Sequence, residues 1–342
     1  MGNGMMTQKS WRAVGLSSQG GSHFKTGDPC QDAHCWRRLP CGTLVVAVAD
    51  GAGTAAQADV GAKLAVKTAL ETVCRALAES EENLKEETLN EETPKEENPK
   101  EENLKEENLK EENLKEENLK EETLNEETPK EETPKEETPK EETLKDETPK
   151  EETLNEETLK EEEWRNILAG GLAAALDALK AEAVARQSSL RDFACTLAVA
   201  VARPGQMVAA IQIGDGAVVA QADGGETFAV TRPAPSEYLN ETTFLVSPGA
   251  IDGASFKLWQ GNLARIAALT DGLQMLALQM PIGNPHQGFF DPLLRFVART
   301  GNPVEAETML QAFLDSPRVR ERTDDDLTLF LASCGPENRS EG

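Results

Sequence analysis

Aromatic residues, histidine and long apolar runs are all scarce in this chain of 342 residues. Only 4% of the residues are aromatic, and there are three histidines. No apolar stretch is long enough to span a membrane, and the N-terminus lacks a signal-peptide core, so we expect a cytoplasmic protein with no membrane partner. In that compartment the six cysteines are expected to be reduced thiols.

Four metal-binding side chains lie close in sequence, but they lack a Cys-x-x-Cys pair, and strand alternation would split them between two faces. A zinc site is therefore not expected at Cys30, His34, Cys35 and Cys41.

Positive charge is also scarce, and the formal net charge is −26. This balance argues against nucleic acid or an anionic membrane as a partner. Most of the charge lies in residues 81–160, which are sixteen pentads of the form Glu-Glu-(Thr/Asn)-(Leu/Pro)-(Lys/Asn), with Asp146 replacing one glutamate. The pentads contain 32 acidic residues and 13 lysines, so the other 262 residues have a net charge of only −7. Those 262 residues are enough for one ordinary globular domain.

The pentad repeat is predicted to be disordered or a fraying helix. A period of five moves each leucine by about 140° around a helix, so no apolar stripe forms. Several prolines would also break a helix, and the charge density leaves too little apolar surface to offset the ordering entropy. Helical patterns flank the repeat at 54–79 and 161–187. We therefore predict one domain made of 1–80 and 161–342, with 81–160 inserted at the tip of a helical hairpin. Solvated filler is the simpler interpretation of the insertion, and an acidic tether for a basic partner is the alternative.

The run from Val45 to Ala49 stops abruptly at Asp50-Gly51. Its continuous apolarity predicts a strand buried on both faces, with the carboxylate at the point where the strand leaves the core. The same pattern recurs where apolar runs end at Asp215-Gly216 and at Asp271-Gly272. A single Asp-Gly is as easily a hairpin turn. Three copies at three strand ends favour a shared carboxylate site.

Other acids also lie at predicted strand edges, and no lysine or arginine lies among them. The set is Asp32, Asp50, Asp215, Asp271, Asp325 and Asp326. Clustered carboxylates repel one another, and hard cations relieve that repulsion. Carboxylate, carbonyl and water ligands suit Mg²⁺ or Mn²⁺, and two such ions can activate a water and hold a phosphoryl group.

The remaining pattern is one of many short strands with helices in two blocks, which favours antiparallel sheets covered by helices. Ser18–Gln31 is expected to be a loop. The predicted strands are 11–17, 32–36, 43–49, 194–203, 206–213, 217–222, 242–247, 254–259, 265–270 and 325–332. Beyond the helices that flank the repeat, helical or apolar stretches are predicted at 273–280, 287–299 and 303–314.

Five motifs, taken in this order, resemble the metal-dependent type 2C serine/threonine protein phosphatases, the PPM family, and especially their compact bacterial branch. The motifs are Gln31-Asp32-Ala33, Val48-Ala49-Asp50-Gly51, Cys195-Thr196 with Gly214-Asp215-Gly216, Thr270-Asp271-Gly272, and Asp325-Asp326-Leu327-Thr328. The resemblance spans about 11–332 apart from the insertion. It implies an α+β fold, a β-sandwich of two antiparallel sheets flanked by helices in four αββα layers.

The resemblance also implies two Mg²⁺ or Mn²⁺ ions at one end of the sandwich. Asp50 would bridge both ions, and Gly51 would offer its carbonyl oxygen. Asp271 and Asp325 would bind one ion, Asp32 would support the site through water, and Asp215 matches a ligand for a third ion. Asp50 and Asp271 are thus the principal catalytic candidates. The implied reaction is hydrolysis of phosphoserine or phosphothreonine in a phosphorylated protein substrate by a metal-activated water.

Two positions depart from the family pattern. Many members have a histidine, proposed as general acid, where this chain has Ala52. Many also have an arginine that binds substrate phosphate where this chain has Gly27. His23 or Lys25 in the same loop could bind the phosphate instead. These departures leave open an alternative from another class, a degenerate phosphatase fold that acts as a binding or regulatory module. Cysteine-based hydrolysis by Cys30 or Cys35 with His34 is the third option, and it lacks a phosphate-binding loop.

Overall fold

Strand β3 (Leu44–Ala49) is buried along its whole length, as its continuous apolar run predicts. We describe it from a computed structural model that covers residues 9–91, 156–233 and 242–336. Alternate side chains of β3 enter different cores. Val45 and Ala47 face the helices, whereas Val46 and Val48 face a second sheet. A strand between two apolar layers needs apolar residues at every position, which explains the unbroken run.

Two five-stranded antiparallel sheets form the sandwich. One contains, in spatial order, β2 (Ala33–Arg38), β3, β4 (Leu197–Arg203), β5 (Met207–Ile213) and β8 (Ser255–Gln260). The other contains β1 (Lys9–Ser18), β12 (Leu327–Pro336), β9 (Leu263–Leu269), β6 (Ala217–Ala222) and β7 (Thr227–Thr231). A small pair, β10 (Leu278–Gln279) and β11 (Asn284–Pro285), stands apart from both.

Helices cover the outer face of each sheet. Helices α2 (Ala58–Glu91) and α3 (Glu156–Ala185) share a core with the β3 sheet. Helices α5 (Gln287–Arg299), α6 (Pro303–Leu314) and α7 (Pro317–Arg320) share a core with the β12 sheet. Short helices α1 (Gly21–Thr26) and α4 (Gln274–Ala277), and 3₁₀ turns at Leu190–Phe193 and Asp271–Leu273, lie in the connections. The αββα sandwich predicted from the sequence is confirmed.

Several predicted elements are wrong in detail. The stretch 18–31 contains helix α1 rather than only loop, and the stretch 242–247 forms turns rather than a strand. Strand β7 was not predicted. Helix α2 begins at Ala58 instead of 54, and the helical part of 273–280 is limited to α4.

The chain divides into two units, Met1–Glu81 with Leu154–Gly342, and Glu82–Thr153. Of the second unit the structure describes 82–91, the end of α2, and the pentads over 92–155 lie outside the described residues. The predicted disorder of the pentads and the domain limits at 80 and 161 therefore stay predictions. No helix in the described ranges has the length and hydropathy to cross a bilayer.

Candidate metal centre

The antiparallel order of the strands places the predicted acids at one end of the sandwich. Asp50 follows β3, and the pairing of Ala33 with Ala49 puts the start of β2, and so Asp32, beside it. Asp215 lies in the turn between β5 and β6. Pairing of Leu269 with both Ala217 and Leu329 puts the end of β9 beside the starts of β6 and β12. Asp271 therefore enters the same edge from the second sheet.

Asp50, Asp215 and Asp271 form one cluster. Each offers a carboxylate oxygen, and these atoms all lie within 4.8 Å of one another. Among the residues that the structure describes, this is the one group of three or more histidine, cysteine or acidic side chains close enough to hold a metal ion. The prediction that the three Asp-Gly motifs lie close together in the fold is thus confirmed.

The cluster raises the pKa of its own members. Burial, followed by the charges of Asp32 and Asp271, raises the pKa of Asp50 to about 11. Burial, followed by Asp215 and Asp325, raises the pKa of Asp271 to about 7. Burial is thus the largest cause of both shifts, and the neighbouring carboxylates add to it.

Asp32 is buried and lies near enough to Asp50 for its charge to raise the pKa of that carboxyl group. Burial raises the pKa of Asp32 to about 8, although hydrogen bonds from Thr270 and Thr328 act in the opposite direction. Thr270 Oγ1 donates to Asp32 Oδ2 at 2.6 Å and accepts from the Thr328 N–H at 2.9 Å. This threonine pair links Asp32 to the edges of β9 and β12, and the sequence reasoning did not identify its role. The only sign of this pair in the sequence is that one threonine directly precedes Asp271 and another lies two residues after Asp326.

Backbone contacts hold the Asp50-Gly51 turn against the start of β4. The Asp50 N–H donates to Thr196 Oγ1 at 2.9 Å, and the Thr196 N–H donates to the Asp50 carbonyl at 2.7 Å. Gly51 continues this pairing by a bridge to Cys195. A Cβ on Gly51 would lie 2.8 Å from the Ala58 carbonyl oxygen, so the close approach of α2 requires glycine there.

Asp325 and Asp326 are adjacent but point to different places. Asp325 is exposed and lines the cavity over the cluster. Asp326 is buried, and its carboxylate accepts from the Gly20 N–H at 2.5 Å, the Gln31 N–H at 2.5 Å and the His23 ring at 2.9 Å. Asp326 therefore joins α1 and the segment before β2 to β12.

A cavity of about 600 Å³ opens over these carboxylates. Its walls, among the described residues, are Ser22, His23, Asp50, Gly51, Ala52, Gly53, Thr242, Phe244, Asp271, Thr323, Asp324 and Asp325. No lysine or arginine of the described chain is in this set. Lys25 is 72% exposed and lies 3.8 Å from Asp324 Oδ1, outside the wall. Gly27 ends α1 with φ of +82°, a left-handed conformation that disfavours an arginine at this position.

The cysteine alternative does not fit the structure. Burial, followed by the charges of Asp326 and Asp32, raises the pKa of Cys30 to about 12, so its thiol stays protonated. Burial also raises the pKa of Cys35. His34 Nδ1 is 2.9 Å from Ser17 Oγ rather than from a cysteine.

The chemistry of the donors fits a divalent cation. Asp32 Oδ1 and Asp215 Oδ1 are buried and have no hydrogen-bond partner among the described residues. Thr242 Oγ1 donates to the other oxygen of Asp215 at 2.9 Å, which leaves Oδ1 free for a ligand. Unpaired buried carboxylate oxygens are costly, and a hard cation would satisfy them.

Comparisons with known proteins found a family model, a sequence relative and solved structures that are similar to this chain. The family model described as protein phosphatase 2C matches residues 19–138 and 136–315. Serine/threonine-protein phosphatase 3 of Escherichia coli (strain K12) is 29% identical over 331 residues, which are 94% of this chain and 98% of that protein. The solved serine/threonine phosphatase of S. agalactiae aligns with a TM-score of 0.49 and 10% identity, covering 95% of this chain and 99% of that chain. The serine/threonine phosphatase Stp1 from Staphylococcus aureus aligns with a TM-score of 0.46 and 11% identity, covering 97% and 98% of the two chains.

Proposed function

Because the chain belongs to the protein phosphatase 2C family, we propose that it hydrolyses phosphoserine and phosphothreonine in proteins. The observation that supports this most strongly is the cluster of Asp50, Asp215 and Asp271 under a cavity without lysine or arginine among its described walls. Such a cavity repels a phosphate unless cations neutralise the carboxylates. A binding module has no need of this uncompensated charge, so the catalytic interpretation is preferred over a degenerate fold.

In this proposal Asp50, Gly51, Asp271 and Asp325 hold two Mg²⁺ or Mn²⁺ ions, and Asp215 contributes to a third position. When bound, such ions supply an activated water and neutralise the phosphate charge. Asp32 would support the metal site from its buried position, and the hydrogen bond from Thr270 fixes the orientation of its carboxylate. Because the carboxylates are partly protonated without metal, ion binding must release protons, and affinity for the ion should rise with pH.

The protein has to bind the substrate phosphate with few groups of its own. His23 is the one described wall residue that can carry positive charge, and we assign it to the phosphate side of the cavity. Lys25 could reach the phosphate only by leaving Asp324 and bending in from the surface. The phosphoprotein substrate is otherwise expected to lie over Phe244 and Thr323, which border the cavity.

The proposed function is tested with the purified full-length chain. Hydrolysis of p-nitrophenyl phosphate and of a phosphothreonine peptide is measured with Mn²⁺ or Mg²⁺, and then with excess EDTA. We expect turnover of both substrates with metal and none with EDTA. Turnover that persists in EDTA would contradict the metal mechanism. Tight Mn²⁺ binding without turnover of either substrate would favour the binding module instead.

A further inference from the structure

His23 has a defined orientation in the cavity wall. Its Nδ1 lies 2.9 Å from Asp326 Oδ2, and the side chain is 16% exposed. The Asp326 side chain is 1% exposed and also accepts the Gly20 and Gln31 backbone N–H groups. Because both Asp326 oxygens already accept backbone hydrogens, we assign the hydrogen of this contact to His23 Nδ1. The other nitrogen, Nε2, makes no hydrogen bond with a described residue, and His23 lines the cavity.

Carboxylates that bind a metal ion are deprotonated, so in the metal-loaded protein the other described walls of the cavity lack an efficient proton donor. They offer carboxylates, glycines, Ala52, Phe244 and the hydroxyl groups of Ser22, Thr242 and Thr323. A serine or threonine hydroxyl releases its proton far less readily than a protonated imidazole. Departure of an alkoxide from a phosphate ester needs a proton at the oxygen that leaves. His23 is therefore the suitable acid on this wall. It lies in α1, whereas the histidine proposed as general acid in many family members corresponds to Ala52.

Resting on the proposed phosphatase activity, we propose that His23 is the general acid and that Asp326 positions it. Water forms the new P–O bond and loses a proton to solvent. The P–O bond to the seryl or threonyl oxygen breaks, and its electron pair stays on that oxygen. The Nε2 proton of the doubly protonated ring moves to this oxygen and releases the alcohol. The neutral ring then regains a proton from solvent, while Asp326 holds Nδ1–H throughout.

The test compares two leaving groups in full-length His23→Gln with Mn²⁺. The p-nitrophenolate leaving group is stable as an anion and needs little protonation, whereas threonine needs it. We expect kcat on a phosphothreonine peptide to fall about 10²- to 10⁴-fold, the usual value of a positioned acid. On p-nitrophenyl phosphate kcat should fall by a few-fold at most. His286→Gln, at an exposed histidine that does not line this cavity, is the matched control and should leave both rates unchanged.

The double variant His23→Gln/Ala52→His adds a rescue. A histidine at position 52 lines the same cavity, so it should restore the peptide rate at least tenfold while changing the p-nitrophenyl phosphate rate little. In Asp326→Asn the ring loses the carboxyl group that contacts Nδ1, and we expect the same selective loss on the peptide. Mn²⁺ binding measured by calorimetry should stay within a few-fold of wild type in both His23 variants.

Other outcomes overturn the general-acid assignment. Equal losses on both substrates, mainly in KM, would mean that His23 only binds the phosphate. Equal losses with weakened Mn²⁺ binding and a lower Tm would mean that the His23–Asp326 contact is structural. No loss on the peptide would assign the proton to another donor. A wild-type protein inactive on both substrates would instead refute the proposed function, and the two failures are therefore distinguishable.

Discussion

Asp50 lies in an environment that disfavours its own charge. In the unfolded chain its carboxyl group is ionised at pH 7, whereas the folded metal-free site raises its pKa to about 11 and keeps it protonated. Folding without metal at pH 7 therefore takes up a proton, and each pH unit between the unfolded pKa and pH 7 costs about 1.4 kcal/mol. The carboxylates that would bind a cation therefore lower the folding stability of the metal-free protein.

Removing one carboxylate should separate stability from activity. We predict that Asp50→Asn and Asp271→Asn each abolish Mn²⁺-dependent turnover and raise the Tm of the metal-free protein at pH 7.5. The expected gain is at least about 1 kcal/mol, which corresponds to roughly 2–4 °C for a domain of this size. Asp291→Asn, at a half-buried acid on α5, is the control and should do neither. Full activity in either site variant would contradict the assignment of these ligands.

The same carboxylates should set the pH dependence of the metal-free protein. Groups whose pKa is raised on folding bind protons more tightly in the folded state, so stability falls as pH rises from the unfolded pKa to the folded one. Asp271 and Asp32, raised to about 7 and about 8, place this window between about pH 4 and pH 8. We expect the free energy of unfolding in urea with EDTA to decrease from pH 5 to pH 8. Saturating Mn²⁺ should reduce the slope, and an equal slope with and without the ion would contradict this account.

At the level of elements, the sequence predicts the long and strongly patterned ones well and the short ones poorly. Strand β3 and helices α5 and α6 lie where their patterns place them. The stretch 242–247 is rich in β-formers, yet β8 occupies the edge of β5 and leaves it no strand to pair with. Its Leu245 is buried and makes a single backbone bond to the Cys195 carbonyl. Tertiary context thus overrides the local preference.

The contact between α2 and α3 offers a matched pair of glycines. Gly170 is exposed with open space around its Cα, whereas a Cβ on Gly171 would lie 2.8 Å from Val73 Cγ2 and 3.3 Å from the Ala69 carbonyl oxygen. Alanine favours a helix over glycine by about 0.8–1 kcal/mol. We predict that Gly170→Ala stabilises the protein by about this amount, and that Gly171→Ala destabilises it by about 1–3 kcal/mol through overpacking. Urea denaturation of the two variants measures both, and equal effects would show that the helices do not pack closely at Gly171.

At the scale of the whole molecule, the sequence predicts the part of the site that rests on a repeated motif. It does not predict the part that depends on contacts between residues far apart in the chain. Three copies of Asp-Gly at strand ends were enough to propose convergence, and the structure brings them within reach of one ion. The role of Asp326 could not be predicted, because it depends on Gly20, His23 and Gln31, which lie about 300 residues away. No local pattern distinguishes Asp325, which faces the cavity, from its buried neighbour.

The pentad insertion is the largest feature that the catalytic proposal does not need. Among the residues whose burial the structure describes, the buried ones of α2 lie between Ala58 and Leu77 and those of α3 between Leu168 and Ala183. We therefore predict that a Gly/Ser linker of about ten residues in place of 81–160 preserves folding and activity on p-nitrophenyl phosphate. Shortening the loop by three doublings should stabilise the domain by roughly 2 kcal/mol. Removing half of the pentads is the graded control and should give an intermediate Tm. A large drop in Tm on replacement would show instead that the repeat stabilises the domain.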